Sequence, residues 1–126
     1  MTTINLTQHP ATPDQIAAGV VDLPAEHRQR LCALLTFSAI PTADDILDRA
    51  EDIALLADSI LSEDGDHRAM IGGALWLMSP LAEALREQRI EPVFAFSVRE
   101  TEEQAQADGS IRKVAVFRHA GFVPAV

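Results

Sequence analysis

The stretch Ala69–Leu85, AMIGGALWLMSPLAEAL, decides the fold. A short apolar run leads into two consecutive glycines, and from Leu75 to Gln88 the apolar residues Leu77, Leu81, Ala84 and Leu85 recur at helical spacing. The pattern is strand, tight turn, helix. In open α/β proteins ligands sit beyond the carboxyl ends of parallel strands, where a glycine turn lets backbone N–H groups approach an anion at a helix N-terminus. Gly72 and Gly73 are therefore candidate ligand-binding residues. A glycine pair is equally what any strand-to-helix turn needs for positive φ or close packing. The full G-x-G-x-x-G fingerprint of dinucleotide sites is absent, because Leu77 stands where its last glycine would be. Pro80 leaves two starts open for the helix: near Leu75, or after Ser79 acting as N-cap.

Downstream, Ile90–Ser97 carries the nearly continuous apolar run Val93-Phe94-Ala95-Phe96, as in a strand covered on both faces. It ends in the polar Ser97-Val98-Arg99-Glu100. Acidic residues follow, then Asp108-Gly109, a preferred tight-turn pair, and Ser110–His119 returns as an alternating strand. A C-terminal β-hairpin is predicted, whose register decides whether Arg118 and His119 return to the level of Ser97 and Arg99.

Upstream, Thr3–Thr7 alternates as a first strand, closed by Gln8, His9 and Pro10. Thr12-Pro13-Asp14-Gln15 has capping-box spacing with proline at the first helical position, and Gly19 ends a short helix. Val20–Leu23 reads as a second strand and Pro24–Leu35 as a helix. Thr42 caps another helix ending near Ser62, with Asp44 and Asp45 in its first turn and Ile46, Ile53, Leu56 and Ile60 on one face. Its acidic residues read as a solvated face. Glu63–His67 reads as a polar loop without the spacing of a calcium site. Strands alternating with helices give a single α/β domain over residues 1–126, with a mostly parallel central sheet. Three polar groups then meet at one end: Thr7, Gln8 and His9; Gly72 and Gly73; Ser97 and Arg99.

Composition bounds the function. A chain of 126 residues with 48% apolar and 23% charged residues suits one globular domain. No run approaches the roughly 20 apolar residues that span a bilayer, and Met1–His9 lacks a signal pattern, so a cytoplasmic protein is expected. Cys32 is the sole cysteine, which rules out an internal disulfide and a cysteine zinc site, and it reads as a buried small apolar residue. With 10 basic and 19 acidic residues the net charge is −9, which disfavours long nucleic acids but leaves room for a small anion at a local basic site. Such a site is suggested by Arg99, Arg112, Lys113, Arg118 and His119, all near the C-terminus.

The tail Ile90–Phe122, with its S-x-R-E at Ser97–Glu100, the D-G-S at Asp108–Ser110 and Phe117-Arg118-His119, resembles that of small single-domain CRISPR-associated proteins related to the CARF domain. Leu6–Gln15 and Ile71–Gly73 add weaker likeness, and the middle helices almost none. The resemblance implies a Rossmann-like (CARF-like) fold that senses cyclic oligoadenylates in antiviral defence. In ring nucleases of this type it implies metal-independent cleavage by attack of a ribose 2′-hydroxyl on its neighbouring phosphate, without a cofactor. Such an attack needs in-line positioning and charge stabilisation. Arg99 or Arg118 would supply charge, His119 or His9 would move protons near neutral pH, and Thr7, Gln8, Gly72, Gly73 and Ser97 would seat the ligand. A symmetric ring further implies a homodimer with the site across its two-fold axis. A sensor or sponge that leaves the ring intact would use the same pocket. A plain interaction protein of a mobile element would instead use apolar surface on the sheet or at Trp76.

Overall fold

The computed structural model describes residues 2–62 and 65–126; the Glu63-Asp64 part of the polar loop lies outside the described residues. The elements run β1 (Thr2–Leu6), α1 (Pro13–Ala17), β2 (Val20–Asp22), α2 (Ala25–Leu35), α3 (Ala43–Ile60), β3 (His67–Ile71), α4 (Leu75–Glu87), β4 (Ile90–Ala105) and β5 (Ile111–Pro124). The fold is α/β, built on one mixed five-stranded sheet of order β2-β1-β3-β4-β5. All neighbours are parallel except β4 and β5, which form the antiparallel C-terminal hairpin. The chain first grows from β1 to β2 on one side, then returns past β1 to add β3 and β4 on the other. That reversal falls between β1 and β3.

Strand alternation sorts the core into two faces. Ile4, Leu6, Ala69, Ile71 and Ile90 face the main core, where α2, α3 and α4 contribute Leu31, Leu34, Ile53, Leu77, Leu81 and Leu85. On the other face a small cluster joins Ala11, Val20 and Met70 with Phe122 of β5. Right-handed crossovers produce this split when strand order reverses at β1, because the two directions of growth put their connections on opposite faces.

Helix starts follow the caps. Thr12 Oγ1 accepts from Gln15 N at 3.2 Å and Gln15 Oε1 accepts from Thr12 N at 3.0 Å, closing the capping box. Thr42 Oγ1 accepts from Asp45 N at 3.1 Å and starts α3. Thr42→Ala is expected to lower stability by about 1 kcal/mol, read as a lower urea midpoint with an unchanged slope. Helix α4 begins at Leu75 rather than after Ser79, with Ala74 as a cap that offers no side-chain acceptor. Pro80 thus sits inside the helix and removes the bond its N–H would make to Trp76. Burial of Leu77, Met78, Leu81 and Leu85 outweighs that loss, since each such side chain contributes about 1.5–3 kcal/mol.

The hairpin is much longer than the apolar run suggests. β4 pairs with β3 only from Ile90 to Val93 and continues to Ala105 beside β5 alone. One extra residue, Ala120, bulges from β5 opposite Phe96 and Ser97. At the tip Asp108 Oδ1 accepts from Ser110 Oγ at 2.6 Å and Ser110 N at 2.9 Å. These bonds hold its carboxyl below the ordinary range, so the contact exists at neutral pH and is lost as pH falls through that lowered value. Among the described residues, no helix is long and apolar enough to cross a membrane.

Candidate ligand-binding site

A cavity of about 540 Å³ opens at the carboxyl ends of β1 and β3, within the size range of small-molecule sites. The loop after β1 lines it with Thr7, Gln8, His9 and Pro10, the turn after β3 with Gly72 and Gly73, and α1 with Thr12 and Gln15. Met70, Ile71, Phe94 and Ala95 supply apolar wall. The mouth therefore coincides with the reversal of strand order, where open parallel sheets leave a crevice between diverging loops.

The loop Thr7–Ala11 is held by a buried residue that sequence reasoning passed over. Asn5 is fully buried in β1 on the face away from the main core. Its Nδ2 donates to His9 O and to Asp22 Oδ1, each at 2.8 Å, and its Oδ1 accepts from Thr7 N at 2.9 Å and Thr7 Oγ1 at 2.7 Å. Asp22 Oδ1 also accepts from Ala11 N at 3.0 Å. One amide thus uses both donors and both acceptor sites, and the loop has its shape before any ligand arrives. The available signal was the residue type itself: a polar amide inside an alternating strand needs partners.

Gln8 is tied outward. Its carbonyl accepts from Arg28 Nη2 at 2.9 Å and meets Cys32 Sγ at 3.8 Å, while its Nε2 reaches Leu35 O and Thr36 Oγ1 at 3.4 Å. Cys32 is accordingly half-buried at this contact rather than a core residue. Of the cavity's lining, His9 alone carries an imidazole, and the residue is exposed.

The second loop is shaped by Gly73, whose φ of 137° lies where L side chains rarely go. Gly72 has no such φ; a Cβ there would meet Thr7 Cγ2 at 3.5 Å, an ordinary contact. The two loops are therefore close neighbours. Leu77 N bonds to Ala74 O at 3.0 Å, which leaves the N–H groups of Leu75 and Trp76 at the helix start without intrahelical partners.

Of the three polar groups expected to meet, the first two share this cavity and the third does not line it. Ser97 lies two residues beyond Ala95 on β4 and pairs with His119. Val98 pairs with Arg118 and Arg99 with Phe117, so the two arginines sit on adjacent rungs and point to opposite faces. Arg118 is already engaged, with Nη2 2.6 Å from Glu102 Oε1 and Nε 3.9 Å from Glu100 Oε2. The His119 ring packs on Phe122 with centroids 4.8 Å apart, and neither ring nitrogen has a hydrogen-bond partner. Arg68 covers the Phe122 ring at 4.7 Å and donates to Thr3 Oγ1 at 3.2 Å. Among the described residues, no group of three His, Cys, Asp or Glu is placed to hold a metal ion.

No curated protein and no solved structure matches this chain. A family model matches residues 1–123, and the chain thus belongs to the Uncharacterized protein MJ1673 family.

Proposed function

We propose that the cavity is the nucleotide site of a Rossmann-like, CARF-like domain, and that it captures a cyclic oligoadenylate. The observation that carries this reading is the coincidence of a preformed cavity with the point where strand order reverses. Thr7, Gly72 and Gly73 would seat a phosphate, with the start of α4 favouring its charge, while Phe94 and Met70 offer apolar surface to a base. Each cavity would hold one adenylate unit of a ring on its own, without a second copy beside it. Its setting would be the cytoplasm, with no metal or cofactor.

Capture without cleavage is the form we favour. Arg118 is held by Glu100 and Glu102, and Arg99 points to the other face of the hairpin, so neither lines the cavity. The residue left to move a proton there is His9. The test is incubation with cyclic tri-, tetra- and hexa-adenylate in EDTA, followed by chromatography and thermal melting. At a hundredfold excess over Kd a ligand bound only to the folded chain stabilises it by about 2.7 kcal/mol. We expect a melting shift with one ring size and recovery of the intact ring. Linear products that vanish in His9→Ala would replace capture with ring cleavage. An unchanged melt with all three rings would refute the cyclic-nucleotide reading.

A further inference from the structure

From Ser97 to Ala105, β4 has only β5 beside it, so these rungs form a two-stranded arm with both outer edges open. Such a ribbon is marginally stable in water without a further layer. Its two faces differ in what they leave unmet. One carries Val98·Arg118, Glu100·Val116, Glu102·Val114 and Gln104·Arg112, and there Arg118 answers both carboxylates. The other carries Ser97·His119, Arg99·Phe117, Thr101·Ala115, Glu103·Lys113 and Ala105·Ile111. Phe117 is 71% and Ile111 66% exposed on this second face.

The five rungs of that second face are centred on the small pair Thr101·Ala115. A two-fold axis through it, lying across the strands, sets Arg99 against Glu103 of a second copy. The same axis sets Phe117 against Lys113 of that copy, and Ile111 against its His119. Every contact occurs twice, opposite charges meet, and a cation meets an aromatic face. The same operation on the first face would set Glu100 against Glu102 of the second copy and Arg118 against its Arg112, like charge against like. Strands running antiparallel also keep the two bodies at opposite ends of the joined arms. Residues 1–89 hold 14 of the 19 acidic but only 6 of the 10 basic residues, so bodies placed side by side would repel.

We infer that the β4–β5 arm is a self-association surface, which packs through the face bearing Arg99 and Phe117 against the same face of a second copy. This pairing stands independently of any nucleotide. Sedimentation equilibrium of the full chain is expected to show a dimer. Phe117→Glu should raise its dissociation constant at least about 30-fold, as for a central aromatic anchor. Arg99→Glu should also weaken it, and Arg99→Glu combined with Glu103→Arg should restore it. Val116→Glu, on the other face, should leave it unchanged. A monomeric wild-type chain, a dimer indifferent to Phe117→Glu, or a charge swap that fails to restore association would each overturn the pairing. Far-ultraviolet circular dichroism of each variant is expected to match the wild-type chain, which separates lost association from lost folding.

Discussion

Asn5→Ala is expected to lower stability by about 2–4 kcal/mol, a large share of what a small domain has. The truncation removes four hydrogen bonds at a fully buried position; it strands Thr7 N and one contact of Asp22, while Thr7 Oγ1 and His9 O keep only their own 3.2 Å bond to each other. Stranded groups cost more than the bonds contribute, since water cannot reach all of them. The effect should be readable in two ways. Urea unfolding gives the global loss, and amide exchange at Thr7 and Ala11 should accelerate beyond what that loss explains, because the loop opens locally. Asn5→Asp separates the electrostatic part. It sets a second carboxylate against Asp22 in a buried site, and burial and like charge both push carboxyl groups toward protonation. Its folded-state value is then raised above the unfolded one, so the variant is weakest at neutral pH and recovers as pH falls. Equal destabilisation of both variants at every pH would mean that shape alone, and not this hydrogen-bond set, holds the loop.

The same residue shows where sequence reading stops. Periodicity reveals the helices because Ile53, Leu77, Leu81 and Leu85 must face one core, and it reveals β1, β3 and the start of β4 for the same reason. Caps at Thr12 and Thr42 are local and legible, since donor and acceptor lie three residues apart. Asn5 finds Asp22 seventeen residues away across a parallel pair, a distance no local pattern encodes. The return strand of the arm was legible in the alternation of Ser110–His119, but the continuation of β4 was hidden for a different reason. Glu100, Glu102 and Glu103 resemble a loop because no apolar residue alternates with them on a ribbon that buries neither face. Register then separated the candidate charges: Arg99 and Arg118, nineteen residues apart in sequence, came to adjacent rungs and opposite faces. The strand ends with Thr7, His9, Gly72 and Gly73 were legible as one group, since topology alone brings the carboxyl ends of β1 and β3 together.

Gly73→Ala is expected to cost about 1–3 kcal/mol through the backbone alone. At a φ of 137° an L residue is strained wherever its side chain points, yet the added methyl would meet nothing closer than Met78 Cε at 3.9 Å. Space is therefore not the obstacle. Gly72→Ala makes the control, because its φ is ordinary and its methyl would only touch Thr7 Cγ2. Both variants place one methyl beside the cavity, but only the first strains the turn that aims the start of α4. Thermal melting should show Gly73→Ala well below wild type and Gly72→Ala near it. If Gly73→Ala relieves its strain by turning the peptide, the N–H groups at the head of α4 move with it, and any phosphate they hold is lost. A ligand-induced melting shift that survives in Gly72→Ala and disappears in Gly73→Ala would tie binding to the conformation of the turn rather than to its volume. A shift that survives in both would place the ligand elsewhere, because no seat built on this turn can outlast its rearrangement.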